Sequence, residues 1–304
     1  MQTILGSGGA VAIELAKELK KYTNKVRLVA RNPKNVNADD EIVAANLLDQ
    51  KLINHAVAGS DVVYLTAGLE YNIKVWRRDW PVIMQNVIDA CIAHNAKLVF
   101  FDNVYMYAPE EIPHMTEESR IAPAAQKGKV RAELIRMIFD AIKNKNLTAL
   151  VARSADFYGK NVKTGFLNIG VFDNFKKNKK AFWQSDANKI HSFTYVPDAA
   201  KAVALLGNTP DAYNQVWHLP TSSERWSGKD FINHIATQMN VKPRYYILSK
   251  FMISLFGIFS PTLKELKEMQ YQNDRDYFFN SSKFQKKFLL QPTTYEKGIA
   301  GSIE

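Results

Sequence analysis

A short apolar run, Gln2-Thr3-Ile4-Leu5, is broken by Gly6-Ser7-Gly8-Gly9 and followed by Ala10 to Leu19. In that last stretch Val11, Leu15 and Leu19 recur every four residues, with Ala12 and Ala16 beside them, which is the period of a helix buried on one face. Strand, glycine turn and helix in this order constrain the chain more than any other feature. A helix N-terminus carries unpaired N–H groups and a partial positive charge, so it suits a phosphate. Gly6 permits a tight turn, Gly9 lets a ligand approach the backbone, and small Ala12 lets helix and strand pack closely. The spacing Gly-x-x-Gly-x-x-Ala is a loosened dinucleotide fingerprint, and taken alone it serves a plain glycine turn equally well.

The pattern then repeats. Strands are expected at Lys25 to Ala30, Glu41 to Ala45, Asp61 to Thr66, Lys97 to Phe101 and Leu147 to Ala152. Helices are expected at Lys51 to Ala58, Trp76 to His94 and Lys127 to Lys143. This alternation predicts an α/β fold: a doubly wound parallel sheet with right-handed crossovers and helices on both faces. Ligands bind such sheets beyond the carboxyl ends of the strands. Those ends place Gly6 to Gly9, Arg31, Ala67-Gly68, Asn103 to Tyr105 and Arg153 onward at the site. After residue 153 the pattern loosens. Helices are expected at Phe166 to Lys177, Pro197 to Leu206, Gly228 to Met239 and Leu263 to Gln272, with short strands at Ser192 to Val196 and Gln215 to Leu219.

Composition narrows the class. A single cysteine, Cys91, excludes an internal disulfide and a cysteine metal site. The histidines and carboxylates show no metal spacing, so no metal is expected. No apolar run reaches the roughly 18 residues of a membrane span; the richest stretch, Phe251 to Phe259, contains Ser254 and Gly257. A strand beginning at residue 2 leaves no room for a signal peptide, and a cytoplasmic protein is the expectation. The net charge of +10 is spread along the chain without a nucleic-acid-binding motif. It reads as a solvated basic surface that would also draw in anionic nucleotides.

Several segments together resemble the extended short-chain dehydrogenase/reductase proteins, the NAD-dependent epimerase/dehydratase family. Besides the glycine loop, Asp61 to Gly68 resembles the strand ending in paired small residues over the adenine. Asn86-Val87-Ile88-Asp89-Ala90-Cys91 resembles a family helix segment, and Lys97 to Ala108 the strand that ends in a serine pair and Val-Tyr-Gly. Arg153 to Gly159 resembles the family's Arg-Pro-x-Asn-Val-Tyr-Gly turn, and His191 to Ala200 a segment near substrate. The resemblance implies a Rossmann nicotinamide-binding domain over 1–159, with about 191–219 returning to it. It also implies a smaller C-terminal substrate lobe from about 160–190 and 221–304. A sugar-nucleotide or other small-molecule substrate would lie between the two. Family members pair through two long helices, here Trp76 to His94 and Lys127 to Lys143, so a homodimer is implied.

The cofactor residues implied are Gly6, Ser7, Gly8, Gly9, Ala10, Val11, Arg31, Asn46, Leu47, Ala67, Gly68 and Lys129. NAD enzymes carry an acid after the second strand for the ribose 2′-hydroxyl. Here that place holds Ala30-Arg31-Asn32-Pro33, and Arg31 would pair a 2′-phosphate, which favours NADP over NAD. The family's catalytic trio is a Ser or Thr, a Tyr and a Lys, the last two spaced Tyr-x-x-x-Lys. Lys129 and Glu133 fit the family's Lys-x-x-x-Glu and select Lys129 over Lys127, but the tyrosine position is Ala125 and the serine position is Asn103. Tyr105, two beyond Asn103, is the substitute in an active enzyme, with Asn103 donating to a substrate oxygen. Two other readings stay open: Tyr105 is core packing, or the chain is a non-catalytic NADP-binding redox sensor. Asp156, His191 and Arg275 are the substrate-side residues, with Trp183 and Trp226 as further candidates for the lobe lining.

If Arg31 holds a 2′-phosphate, Arg31→Ala removes hydrogen bonds between charged groups, about 1.5–3 kcal/mol. NADP affinity should fall roughly 10- to 100-fold with NAD affinity nearly unchanged. Titration with both dinucleotides checks this, and equal losses refute the role.

Overall fold

The computed structural model describes residues 1–256 and 265–303. Seven strands form one parallel sheet: β1 (Gln2–Leu5), β2 (Val26–Ala30), β3 (Glu41–Ala44), β4 (Val62–Leu65), β5 (Lys97–Asp102), β6 (Ala149–Arg153) and β10 (Val216–His218). Their spatial order is β10-β6-β5-β4-β1-β2-β3, with every register parallel. The order reverses at β1, so the crevice opens between the ends of β1 and β4, where the glycine turn lies.

Successive strand residues face opposite sides of the sheet. Leu5, Val63, Leu65, Leu98 and Phe100 pack under α2 (Gln50–Val57), α3 (Ile73–Ala93) and α4 (Gln126–Asn144). Ile4, Tyr64 and Val99 pack on the other face, under α1 (Ala10–Leu19) and α6 (Val196–Gly207). Ala12 and Ala16 of α1 lie in the same core as Ala199, Ala200 and Val203 of α6, small side chains that let the helices approach closely.

The rest of the chain covers the carboxyl edge. Strand β7 (Asp156–Tyr158) pairs with β9 (Phe193–Tyr195), and β8 (Ala181–Gln184) with β11 (Tyr245–Leu248). An aromatic core of Phe172, Trp183, Phe193, Phe231 and Tyr295 joins them to α7 (Gly228–Gln238) and to the C-terminal helix Tyr295–Ile303. Strands β7, β8 and β11 are not expected from the sequence; they fall after residue 153, where strand and helix no longer alternate. The expected helix over Phe166 to Lys177 is a wide π-type turn, Asn168–Phe172, followed by α5 (Asp173–Lys176). Gly170 sits there with the Phe182 carbonyl 2.9 Å from where a Cβ would be. Of the expected helix Leu263 to Gln272, residues 263 and 264 lie outside the described residues, and Gln270–Gln272 is a 3-10 turn. The end of the apolar run Phe251 to Phe259 lies outside them too. Among the described residues no helix is long and apolar enough to cross a membrane.

Asp102 closes β5 and pairs in register with Arg153 at the end of β6. Its carboxylate is buried with Oδ2 3.4 Å from Arg153 Nε and Oδ1 3.5 Å from Nη1 of Arg131 on α4. Burial pushes the Asp102 carboxyl up, against the pull of the two guanidiniums. Arg131 also lies 4.4 Å from the Trp80 ring on α3. Arg153 Nη1 donates to the Tyr107 hydroxyl at 2.8 Å, and that hydroxyl donates to His218 Nε2 at 2.7 Å. The ring's Nδ1–H donates to the Asn280 carbonyl at 2.8 Å, which sets this tautomer. Burial holds the His218 pKa well below its ordinary value, so the ring is neutral. Asp102→Ala leaves two buried guanidiniums without their carboxylate, a loss of about 3–5 kcal/mol. The urea midpoint should fall accordingly; an unchanged midpoint removes the triad from the stability of the sheet edge.

Candidate functional site

The glycine turn is built for close approach. Gly6 has φ +91°, and a Cβ on it would meet the Ala67 backbone, 2.6 Å from its nitrogen. Its N–H and that of Ser7 are held by the Val29 carbonyl at 2.9 and 3.2 Å. Thr66 N donates to Leu5 O at 2.9 Å, so the ends of β1 and β4 are laced together. A Cβ on Gly8 or Gly9 would meet no protein atom within 4 Å. Gly9 is the N-cap of α1 and brings no capping side chain, so Ala10 and Val11 begin a helix end uncapped by side chains. Ser7 is buried and its Oγ makes no hydrogen bond. Open space, an uncapped helix end and an orphaned buried hydroxyl fit the pyrophosphate of a dinucleotide.

Arg31 is exposed directly after β2 and makes no side-chain hydrogen bond or ion pair among the described residues. Asn46, just beyond the neighbouring strand β3, uses Oδ1 to accept from Leu48 N at 3.1 Å, and Asp49 caps α2. The Leu47 carbonyl is fixed by Asn86 Nδ2 from α3 at 3.0 Å. Gly68 follows Ala67 at the end of β4.

Beyond β5 the Asn103 Oδ1 accepts from Tyr105 N at 3.0 Å, which turns the chain and leaves the amide Nδ2. Tyr105 is half-buried and stacks on Trp76 with centroids 6.2 Å apart and planes at 15°. Burial and then the Asp156 charge push its pKa up; contact with the Tyr71 hydroxyl and the Arg131 charge act the other way. The Tyr105 hydroxyl is therefore protonated at neutral pH.

Ala125 is buried as the N-cap of α4. The structure brings Lys127 rather than Lys129 into the interior. Lys129 is exposed, whereas Lys127 is fully buried, 4.4 Å above the Tyr71 ring and ion-paired with Glu265 and Glu268. Glu265 also accepts from Ile73 N at the start of α3 (3.1 Å), and Glu268 from Gln126 N at the start of α4 (2.9 Å). Gly128 packs against the Tyr105 carbonyl where a Cβ would collide. A glycine one turn into a helix costs about 1 kcal/mol, so Lys127-Gly128 was the available sequence sign of a close approach. Tyr71, Glu265, Glu268 and Tyr277 carried no such sign.

Asp156, the first residue of β7, has a 28% exposed side chain, and its Oδ2 accepts from His191 Nε2 at 2.9 Å. His191 is buried, stacked on Tyr277 at 4.2 Å. Arg275 stands off from this pair: Nε binds Asp274 at 2.8 Å and Nη1 the Pro109 carbonyl at 3.1 Å. Trp183 and Trp226 face the lobe's aromatic core. Among the described residues no three His, Cys, Asp or Glu side chains gather as metal ligands.

The glycine turn, Tyr105 and the Asp156 carboxylate all lie beyond the carboxyl ends of sheet strands or just after them. The model of the NAD dependent epimerase/dehydratase family matches residues 3–218, and the chain belongs to that family. No curated protein matches the sequence. Among solved structures the chain is similar to UDP-N-acetylglucosamine 4-epimerase from Bacillus cereus, at 16% identity and a TM-score of 0.79, covering 99% of this chain and 94% of that one. DesIV, a dTDP-glucose 4,6-dehydratase from Streptomyces venezuelae solved with NAD, matches at 11% identity and a TM-score of 0.81, covering 100% and 95%. UDP-glucose 4-epimerase from Thermus thermophilus in complex with NAD matches at 15% and 0.78, covering 100% and 98%. These likenesses show the Rossmann-type fold.

Two glycine variants separate packing from binding. Gly6→Ala forces a side chain to positive φ against backbone, a strain of about 1–3 kcal/mol, and should lower both Tm and dinucleotide affinity. Gly9→Ala enters open space, so Tm should hold while dinucleotide affinity drops. Equal affinity in Gly9→Ala and the parent places the phosphate elsewhere.

Proposed function

We propose that the chain is an NADP-dependent oxidoreductase or epimerase that moves a hydride to and from the carbon bearing a hydroxyl or carbonyl of a sugar-nucleotide or other small-molecule substrate. The observation that carries this reading is the glycine turn, where open space at Gly8 and Gly9 and the unpaired Ser7 hydroxyl meet the start of α1. The unpaired Arg31 supports NADP, and the family and its sugar-nucleotide neighbours support the reaction class.

Gly6 to Val11 would hold the pyrophosphate and Arg31 the 2′-phosphate. When bound, the nicotinamide ring accepts or returns the hydride. Tyr105, kept protonated by burial, donates its hydroxyl hydrogen to the substrate oxygen, and the Asn103 amide adds a second donor. Both stand at the end of β5, in the loop held from below by Asp102. A second reading, dinucleotide binding without hydride transfer, is favoured by Ala125, which leaves the N-cap of α4 without a phenol.

The full chain is tested with NADP and NAD against UDP-glucose, UDP-N-acetylglucosamine, dTDP-glucose and simple alcohols, following absorbance at 340 nm and epimer formation by NMR. Turnover supports the enzyme; tight dinucleotide binding with no turnover across the panel supports the sensor. Tyr105→Phe should reduce kcat about 10²- to 10³-fold, the usual loss of one such donor, with dinucleotide affinity retained. Full activity would return Tyr105 to packing on Trp76.

A further inference from the structure

We propose that Asp156, held in place by His191, is the proton acceptor of this site and takes over the base role for which α4 supplies no tyrosine. This rests on the hydride-transfer reading above.

A base at this site must be a carboxylate or phenol near Tyr105 that is free to take a proton. Ala125 has none to offer. Tyr105 holds its own proton and is a donor. Asp102 is fully buried and engaged by Arg131 and Arg153. Glu265 and Glu268 are engaged by Lys127 and by the first N–H groups of α3 and α4. Asp274 is engaged by Lys250 and Arg275. Asp156 differs from all of these. One oxygen, Oδ2, is fixed by His191 at 2.9 Å, while Oδ1 makes no hydrogen bond among the described residues and the side chain is 28% exposed. Its backbone N–H donates to the Tyr277 hydroxyl at 3.3 Å, and its neighbour Ala155 packs in one buried cluster with Tyr277 and with Val104, the residue before Tyr105.

His191 is built as a fixed support. Its ring lies against Tyr277 at 4.2 Å with planes 4° apart, and against Phe193 at 4.6 Å. The backbone on either side is tied as well: His191 N donates to the Trp226 carbonyl at 3.0 Å, and Tyr277 N to the Ile190 carbonyl at 2.9 Å. A ring clamped between two aromatics cannot turn its Nε2 away, so the carboxylate is held to one rotamer with Oδ1 left over. The two residues come from β7 and from the chain just before β9, which pair in register at Asp156 and Phe193.

In the oxidising direction the C–H bond of the substrate carbinol breaks with its electron pair, and the hydride goes to the oxidised nicotinamide. The O–H bond breaks at the same oxygen, its electron pair forms the carbonyl π bond, and its proton passes to Asp156 Oδ1. Reduction runs the same transfers backwards, with Tyr105 donating a hydrogen bond to that oxygen throughout. Asp156 is the catalytic residue; His191 acts through it and is a positioning residue.

The test uses the full chain with NADP and whichever of UDP-glucose, UDP-N-acetylglucosamine, dTDP-glucose or the simple alcohols it turns over. Asp156→Asn should lower kcat about 10²- to 10⁴-fold, the usual weight of a general base, with KM and NADP affinity within about threefold. Asp156→Ala should lose as much and recover part of its rate with added formate, which places a carboxylate in the vacated space. His191→Gln keeps an N–H donor and should retain most of kcat, whereas His191→Phe should lower kcat at nearly constant KM. Undiminished kcat in Asp156→Asn overturns the proposal while leaving the hydride reading intact. So does a loss that appears only in KM or NADP affinity, or that formate does not restore. NADP binding without turnover of any panel member by the parent chain overturns both.

Discussion

The arrangement of the carboxyl edge depends on one buried charge group, Asp102 between Arg131 and Arg153. Each charge would be costly alone in that interior, and together they hold three elements at one point: β5, β6 and α4. The chain of hydrogen bonds runs on from Arg153 through Tyr107 and His218 to the Asn280 carbonyl, which adds β10 and the C-terminal segment. Such a network has little freedom, because moving any member leaves a buried polar group without its partner.

The loop Asn103 to Tyr107 is therefore anchored at both ends. Asp102 fixes its start and Tyr107 its finish, and Asn103 turns the backbone between them through the Tyr105 N–H. Tyr105 is presented from this rigid span against Trp76. From the other side, the segment carrying Glu265 and Glu268 binds the starts of α3 and α4 and neutralises Lys127. The C-terminal segment is thus tied to the starts of both helices.

Much of the frame was legible from local pattern. The glycine turn, the strand–helix alternation and the polar residues at strand ends are short-range features, set by side-chain period and turn chemistry. Lys127 and Lys129 lie two residues apart and so face different ways: the motif with Glu133 selects Lys129, which is exposed, while Lys127 is buried. The partners of Asp102 were not visible, since Arg153 is 51 residues away.

The sequence by itself determined the family, the order of the elements and the glycine turn between β1 and α1, since each is written in contiguous residues. Only the tertiary structure decided which side chains meet at the carboxyl edge. Asp156 meets His191 across 35 residues, and Lys127 meets Glu265 across 138. Those meetings follow from strand pairing and from the face each helix turns inward, which are settled by burying apolar surface over the whole chain and leave no mark at the residues that meet.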